Sequence, residues 1–461
     1  MNHEPTKQFS IAYLLLLVPL VLAFVSWAYF PAAAQLIATN VFGYHAGLRT
    51  AHPVWLAFIG FFYSWYTFLA IAIAGVWIVA AFLARRKRVV GEVGFCPMVS
   101  FVVPAFNEEA NIARCVRSLC ECAEAFSGNC EVIVVDDGSV DFTYEAAWRA
   151  VAAWKSECKC RVRCKVVRHM ANLGKIEALR SGVNSALGQM IAVVDGDSNW
   201  DSDALHKLVE AMMLNGKKAV TGYIHPKAAD DPKNGFLVSF QQLEYSQGLA
   251  IDRCAQSLGN CVLVVPGAIG VYDADLLRAI LTEANVRSVV EDSEITLEMH
   301  KRGSRAGYVS GACGSTDAPV SLKVLWRQRL RWFTGWLHNT VGIHRSLFGE
   351  RSWLSALLWY SLVFEFVGAF VDLTAVVALP FLWWFAPDVV NFALNLIVFA
   401  AYGLLIGLVN QAVALKYAYG TFNHDLLLRY TPFYPFLWII NVFARVRSVI
   451  AYVTGSNGKW R

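Results

Sequence analysis

The apolar residues of this chain concentrate at its two ends and leave a middle region of ordinary globular texture. Near the N-terminus, "FSIAYLLLLVPLVLAFVSWAYF" and "VWLAFIGFFYSWYTFLAIAIAGVWIVAAFLA" are each long enough to cross a hydrocarbon core of about 30 Å. The second run stops at the basic residues Arg85 to Arg88. Because basic residues accumulate on the cytosolic side of membrane segments, both the N-terminus and the middle region are predicted to be cytosolic.

The first apolar run admits a second interpretation. A lysine precedes it and "PAAAQ" follows it, as in a signal peptide with a small-residue cleavage site at Ala32 to Ala34. The run is longer than the usual apolar region of a signal peptide, which favours a membrane span. The middle region is predicted to be cytosolic under either interpretation.

Towards the C-terminus, "WLSALLWYSLVFEFVGAFVDLTAVVALPFLWWF" and "VVNFALNLIVFAAYGLLIGLVNQAVAL" predict two more spans. In "PFYPFLWIINVFARVRSVIAYV", Arg445 and Arg447 interrupt the apolar run. This segment is either a fifth span whose arginines face protein or polymer, or an interfacial or re-entrant piece, and we favour the span. The predicted organisation is two transmembrane helices (1–90), a cytosolic domain (91–320), an amphipathic interfacial region (321–350) and a C-terminal membrane region of two or three spans (351–461).

In the middle region, short apolar runs rich in β-branched residues alternate with amphipathic stretches. The predicted strands are "VSFVV", "EVIVVDDGS", "VRCKVVR" and "MIAVVDGDS", with helices between them. Strands that are buried on both faces and separated by helices indicate a largely parallel α/β sheet. Ligands of such sheets bind at the carboxyl ends of the strands.

Polar residues follow each predicted strand, in "PAFNEE", "DDGS", "NLGK" and "DGDS". Acidic residues recur where a dinucleotide-binding protein would carry G-x-G-x-x-G, and no such glycine run is present. The crevice is therefore predicted to hold a metal-bound nucleotide rather than a dinucleotide bound by backbone amides.

The segment "DGDS" places Asp195 and Asp197 one residue apart at the end of a predicted buried strand. In an extended segment both side chains project to the same side, and Gly196 gives the backbone room. Two such carboxylates repel each other, and a hard divalent cation relieves the repulsion. Mg²⁺ or Mn²⁺, completed by diphosphate oxygens and water, is the predicted occupant. A solvated turn explains the dipeptide equally well, because Asp-Gly is common in turns.

In "VVEDSEIT", an apolar pair leads into Glu291 and Asp292. A carboxylate beside a diphosphate site can act as general base on an incoming hydroxyl. Taken alone, an acidic first turn of a helix is the better interpretation, because the helix dipole favours it.

The stretch "SLKVLWRQRLRWFTGWLHNTVGIHR" predicts an amphipathic helix at the membrane interface. Its predicted apolar face comprises Leu322, Leu325, Trp326, Leu330, Phe333, Trp336 and Leu337. Gln328, Arg331 and Trp332 fall on the opposite side. Trp332 is suited to stacking on a sugar ring and Arg331 to binding a diphosphate, whereas the alternative is an incidental interfacial tryptophan.

Composition supports an association with lipid, since 56% of the 461 residues are hydrophobic, 13% are aromatic and only 16% are charged. The net charge of +5 is accounted for by basic membrane anchors and does not indicate nucleic acid. Eleven cysteines, in a domain predicted to be cytosolic, indicate free thiols. Their spacing lacks the paired C-x-x-C pattern of a zinc site.

Seven ordered segments, covering roughly residues 95–335, resemble one family. They are "VPAFNEE", "VVDDGS", "NLGK", "DGD", "VPGAIGVY", "VEDSEIT" and "QRLRW". The family is that of the processive, membrane-embedded family-2 glycosyltransferases, which include cellulose, chitin, hyaluronan and poly-N-acetylglucosamine synthases. The resemblance implies an α-helical integral membrane protein with a cytosolic α/β domain of the GT-A (Rossmann-like) type.

The resemblance also implies roles for single residues. Asp137 would contact uridine, with Lys175 nearby, and Asp195 and Asp197 would hold the nucleotide and the metal. Asp292 would deprotonate the acceptor hydroxyl.

Further roles follow from the later segments of the resemblance. Gln328 and Arg331 would bind the diphosphate, Trp332 would cap the acceptor end, and Gly267 would lie beside the acceptor. Direct displacement by a hydroxyl needs one base and a stabilised leaving group, and this set supplies both.

The implied activity is that of a processive inverting β-glycosyltransferase in the inner or plasma membrane. Its predicted partners are a UDP-sugar, a growing polysaccharide and the bilayer. "AVTGY" and "LEYSQGLAIDR" are most similar to the poly-N-acetylglucosamine, chitin and hyaluronan branch, so UDP-N-acetylglucosamine is the first predicted donor. An accessory membrane subunit and regulation by cyclic di-GMP through a partner stay open.

The polymer must cross the bilayer, and intramembrane acids usually face protein or a wet cavity. Glu365 and Asp372 lie seven residues apart, on one face of the third predicted span. We predict that they line a polymer channel with Asn395, Asn410 or Gln411, the alternative being a hydrogen-bonded pair between helices.

Other functions share parts of this pattern. They are a hyaluronan-type copolymer synthase, a glucan synthase, a non-processive transferase with a lipid acceptor, a transporter and an inactive scaffold subunit. "QRLRW" favours processivity, and the complete acidic set argues against a scaffold.

Overall fold

A computed structural model describes residues 53–455, apart from 87–95, 158–161, 229–234, 285 and 385–388. The predicted first span and the alternative cleavage site at Ala32 to Ala34 lie outside the described residues. The cysteines at 158 and 160 do so as well, and the nine described cysteines form no disulfide with one another.

The middle domain is built on a twisted sheet with helices on both faces. Its strands are β1 (Val99–Ala105), β2 (Cys130–Asp136), β3 (Arg163–Arg168), β4 (Met190–Val193), β5 (Ser198–Trp200), β6 (Ala219–Lys227), β7 (Gly270–Asp273) and β8 (Ala306–Asp317). The described helices are α1 (Pro53–Arg86), α2 (Ile112–Ala125), α3 (Thr143–Glu157), α4 (Lys175–Ser185), α5 (Ala204–Leu214), α6 (Phe236–Tyr245), α7 (Cys254–Leu258), α8 (Ala274–Glu283), α9 (Glu291–Lys301), α10 (Leu322–Leu337), α11 (Trp353–Tyr360), α12 (Gly368–Trp384), α13 (Val389–Tyr419) and α14 (Pro435–Val453).

The predicted alternation of strands and helices up to residue 193 is confirmed, but the sheet is mixed rather than largely parallel. The strand order is β3-β2-β1-β4-β7-β6-β8-β5. β1 to β4 pair in parallel, whereas β7 runs antiparallel to both β4 and β6, and β5 runs antiparallel to β8. The parallel half places the segments after β1, β2 and β4 at one edge, where the predicted polar residues meet.

The core lies on both faces of β1, which explains its unbroken apolar run. Phe101 and Val103 belong to one buried cluster and Val102 to another, on the opposite face. α2 buries Ile112 and Leu119 together with residues one helical turn apart, which is the pattern of an amphipathic helix.

Three described helices are long and apolar enough to cross a membrane: Leu69–Arg86, Trp353–Thr374 and Pro435–Val453. The third corresponds to the predicted fifth span. Its Arg445 faces protein, because it lies 4.0 Å from a carboxylate oxygen of Glu365, while Arg447 is exposed. These helices fit a membrane location for the chain.

Candidate active site

A cavity of about 380 Å³ lies beside the carboxyl end of β4 and collects most of the predicted functional residues. Its charged and amide lining comprises Lys175, Asp195, Asp197, Arg253, Glu291, Asp292, Asp317, Gln328, Arg331 and Glu365. Gly267 and Trp332 also line it. These residues come from the start of α4, the turn after β4, the helical segment Ser246–Arg253, the segment before β7, the end of β8, α9, α10 and the segment Ser361–Val367. The fold therefore converts separate sequence motifs into one site.

Asp195 and Asp197 lie in a turn and not in the extended segment that the sequence predicts, since the carbonyl of Asp195 accepts a hydrogen bond from the amide of Ser198 at 3.0 Å. Both carboxylates nevertheless line the cavity. Gly267 allows Asp195 to pack closely, because a Cβ at residue 267 would lie 2.6 Å from Oδ1 of Asp195. The amide of Asp195 donates to the carbonyl of Gly267 at 2.9 Å.

The surroundings of Asp197 suit a cation. Burial, followed by the charges of Asp195 and Glu108, raises the pKa of Asp197 to about 7. The hydroxyls of Ser198 and Thr316 donate to Oδ1 of Asp197, each at 3.2 Å. Within the described part of the chain, no three Asp, Glu, His or Cys side chains group closely enough to hold a metal by themselves. The oxygen donors fit Mg²⁺ or Mn²⁺ when a bound diphosphate and water supply the remaining ligands.

Lys175 connects the two acidic parts of the cavity. Its Nζ lies 2.7 Å from Asp195 and 2.6 Å from Glu291. Burial lowers the pKa of Lys175, but the two carboxylates outweigh it and hold this pKa well above its usual range. A permanent cation is therefore fixed between the acidic pair after β4 and the start of α9.

Asp292 lies in the first turn of α9, so the helix-start interpretation of its motif is confirmed, and its side chain also lines the cavity. Burial, followed by the charge of Glu291, raises the pKa of Asp292 to about 6. The amide of Ser293 donates to Oδ1 of Asp292 at 2.7 Å and holds the carboxylate in place. A carboxylate with a pKa this close to neutrality suits general base catalysis.

α10 brings Gln328, Arg331 and Trp332 to the cavity, as the sequence predicts. The residues of the predicted apolar face of this helix have different surroundings, however. Leu325 and Leu330 are buried, whereas Phe333 and Trp336 line the same cavity as Trp332. The cavity thus extends around α10 instead of facing only its polar side.

Residues 100–262 match the model of the family Glycosyl transferase family 2, and residues 190–409 match that of Glycosyl transferase family group 2. Between residues 100 and 409 the chain is therefore similar to family-2 glycosyltransferases. The N-acetylglucosaminyltransferase of Azorhizobium caulinodans is 30% identical over 253 residues, which are 53% of this chain and 61% of that protein. The poly-beta-1,6-N-acetyl-D-glucosamine synthase of Staphylococcus epidermidis is 25% identical over 51% of this chain and 54% of its own length.

The chain thus spans little more than half the length of these curated relatives. Among solved structures, the mannosyltransferase PcManGT of Pyrobaculum calidifontis, in complex with GDP-Man and Mn²⁺, matches with a TM-score of 0.57 and 17% identity. The match covers 84% of this chain and 97% of the mannosyltransferase. This similarity establishes a GT-A-like fold with a mixed sheet.

Asp137 is not among the residues that line the cavity. It is buried, and its carboxylate accepts hydrogen bonds from the amides of Leu173 and Gly174 at 3.0 and 2.7 Å. Its Oδ1 also lies 2.7 Å from Nδ1 of His169. Asp137 therefore fixes the loop that leads into Lys175, and its contact with uridine stays a prediction.

Arg253 belongs to the site, although the sequence analysis did not single it out. It lines the cavity, and its Nη1 is buried and has no hydrogen-bond partner among the described residues. Burial lowers its pKa, and the charge of Asp292 opposes that effect. The sequence feature that could have indicated Arg253 is the segment "LEYSQGLAIDR", in which charged residues stand beside apolar ones that are buried in the fold.

A buried ion pair behind Trp332 also escaped the sequence analysis. The guanidinium of Arg329, which is 1% exposed, pairs with Glu244 and lies 4.4 Å from the ring centre of Trp332. Oε1 of Glu244 accepts a hydrogen bond from Asn441 at 2.8 Å. α6, α10 and α14 are thereby joined behind the tryptophan.

A second cavity, of about 870 Å³, contains both acidic residues of the predicted channel. Glu365 and Asp372 line it together with Asn410 and Gln411, while the side chain of Asn395 lies outside the description. Glu365 lines the first cavity as well, so the two cavities share a wall.

Proposed function

We propose that this glycosyltransferase transfers a sugar from a UDP-sugar to a sugar hydroxyl, with inversion at the anomeric carbon. The observation that carries the proposal is that one cavity holds an acidic pair, a separate half-buried carboxylate and a half-buried aromatic ring. Inverting displacement needs a base on one side of the sugar and charge stabilisation on the other, and this cavity offers both.

In this proposal Asp292 takes the proton of the attacking acceptor hydroxyl. The acceptor oxygen forms a bond to the anomeric carbon while the bond between that carbon and the diphosphate oxygen breaks, and the leaving UDP carries away the electron pair of the broken bond. Arg331 stabilises the diphosphate charge, with Gln328 as a hydrogen-bonding partner. Trp332 stacks on the acceptor sugar and holds its hydroxyl near Asp292.

Asp195 and Asp197 would hold a divalent cation, Mg²⁺ or Mn²⁺. Such an ion, when bound, neutralises charge on the diphosphate leaving group. The raised pKa of Asp197 supports the assignment, because two desolvated carboxylates without a cation favour protonation.

UDP-N-acetylglucosamine is the proposed donor. The names of relatives from Azorhizobium caulinodans and Staphylococcus epidermidis support N-acetylglucosamine as the transferred sugar. A requirement for UDP-glucuronate in addition would indicate a hyaluronan-type copolymer, and use of UDP-glucose a glucan.

We further propose that transfer is processive, that the catalytic domain is cytosolic, and that the polymer leaves through the cavity lined by Glu365 and Asp372. The position of Glu365 supports this route, since the two cavities adjoin at this residue. Trp77, Tyr434 and Trp438 in that cavity offer aromatic surfaces suited to sugar rings.

Paired variants test the assigned roles. Asp292→Asn is expected to abolish sugar transfer while UDP binding, measured by calorimetry, stays within about twofold of the unmodified chain. The double variant with Asp195→Ala and Asp197→Ala is expected to weaken UDP binding in the presence of Mn²⁺ as well. Equal loss of UDP binding in the two cases would contradict separate roles for the base and the acidic pair.

A further inference from the structure

A third cavity, of about 570 Å³, lies where the end of α1 meets α7 and β8. It shares no lining residue with the cavity of the candidate active site, called the donor cavity below, or with the cavity lined by Glu365 and Asp372. Neighbouring residues of one helical segment separate it from the donor cavity, because Arg253 lines the donor cavity and Cys254 lines this one. Its volume lies within the range of small-molecule sites.

The charge of this cavity is opposite to that of the donor cavity. Arg85 and Lys217 line it, and its described lining contains no carboxylate. Neither cation forms an ion pair with a described residue. Two cations that face one cavity without a counter-charge favour an anionic ligand.

The Lys217 ammonium is held towards the cavity without neutralisation. Its Nζ donates a hydrogen bond to the side-chain oxygen of Asn260. Burial, followed by the charge of Arg305, lowers the pKa of Lys217 to about 8. A bound anion would raise this pKa again, since it supplies the missing opposite charge.

Neutral hydrogen-bonding groups surround the two cations. Oγ of Ser257 accepts a hydrogen bond from the amide of Tyr308 at 3.1 Å, which leaves the hydroxyl hydrogen of Ser257 free to donate. The pairing of β6 with β8 skips residues 309–312, and Ser310 of this bulge lines the cavity. Bulges of this kind redirect side chains at functional sites.

Arg85 places the cavity at one end of a candidate membrane span. It lies at the end of the candidate span Leu69–Arg86, and its Nη1 donates to the carbonyl of Tyr417 at 3.2 Å. The headgroups of the cytosolic leaflet lie at this level if α1 crosses the membrane. We propose that this cavity binds a phosphate-bearing anion, either the headgroup of an anionic phospholipid or a soluble phosphate compound.

Binding is tested on the detergent-purified full chain, without any sugar donor, through its thermal unfolding midpoint. The probes are dihexanoyl phosphatidylglycerol against dihexanoyl phosphatidylcholine, and inorganic phosphate against chloride at equal ionic strength. A rise with phosphatidylglycerol alone identifies the lipid headgroup, and a rise with inorganic phosphate as well identifies a soluble phosphate compound. No difference within either probe pair would overturn the proposal.

Substitutions of the two cations test whether the anion binds in this cavity. Lys217→Gln and Arg85→Gln are each expected to weaken the apparent affinity for the effective probe by roughly tenfold, whereas Lys217→Arg keeps the cation and the response. Lys218→Gln is the matched control, because its Nζ pairs instead with Asp273 at 2.7 Å. Responses of both Gln variants equal to that of the unmodified chain would also overturn the proposal. Since no donor is present, the result is independent of the proposed transferase activity.

Discussion

Gly267 shows how one missing side chain shapes the donor site. A methyl group there would lie 2.6 Å from Asp195, which is too close for any real Cβ contact. Gly267→Ala is expected to displace the carboxylate and to lower kcat/KM for the sugar donor roughly tenfold, about 1.4 kcal/mol of transition-state stabilisation. Steady-state kinetics measures the change.

The matched control is Gly349→Ala, because no atom lies within 4 Å of the added methyl group. It is expected to keep kcat/KM unchanged. If both alanine variants lost activity equally, the close packing of Gly267 on Asp195 would not be the reason for the loss.

The raised pKa of Asp292 predicts how the rate of sugar transfer depends on pH. Only its deprotonated form accepts the acceptor proton, and burial raises its pKa to about 6. With donor and Mn²⁺ saturating, kcat is therefore expected to fall about tenfold per pH unit below pH 6, whereas an ordinary aspartate stays ionised down to about pH 4. A kcat that is constant between pH 7 and pH 5 would exclude Asp292 as the base.

At the scale of elements, the ion pair of Arg329 and Glu244 joins α10 to α6 behind Trp332. Glu244→Gln keeps the shape of the side chain but leaves a buried guanidinium uncompensated. The expected result is a loss of about 3 kcal/mol in the free energy of unfolding and a clearly lower thermal midpoint.

The pair of Arg429 and Asp425 provides the matched control, since both side chains are largely exposed. Asp425→Asn is expected to change the free energy of unfolding by less than about 0.5 kcal/mol. Equal midpoints for Glu244→Gln and Asp425→Asn would mean that the buried pair does not hold α10 in place.

The sequence predicts most of the parallel half of the sheet, because β1, β2 and β4 carry apolar runs that a sheet covered on both faces buries. It does not predict the antiparallel pairings of β7, a strand of four residues whose direction is set by its neighbours. Motifs such as "DGD" and "VEDSEIT" identify the acidic residues of the site. The burial of Arg329 depends on the packing of α10 against two distant helices, which no local pattern records.

At the scale of the whole molecule, the shared wall of the two cavities predicts separable synthesis and export. Glu365→Leu and Asp372→Leu are expected to reduce the polymer that crosses the membrane of sealed vesicles, because they remove polar groups from the second cavity. UDP release by the detergent-solubilised chain is expected to persist in Asp372→Leu, because Asp372 does not line the cavity of the candidate active site. Export that is unchanged in both variants, with synthesis retained, would exclude this cavity as the route.

The central claim is that this chain builds a polymer from a UDP-sugar. The most direct test is UDP release by the purified, detergent-solubilised chain across a panel of UDP-sugars with Mg²⁺ or Mn²⁺, together with the size of any product. We predict turnover with UDP-N-acetylglucosamine alone and a long product. A product extended by a single sugar would contradict processivity, and no UDP release with any donor would contradict the claim itself.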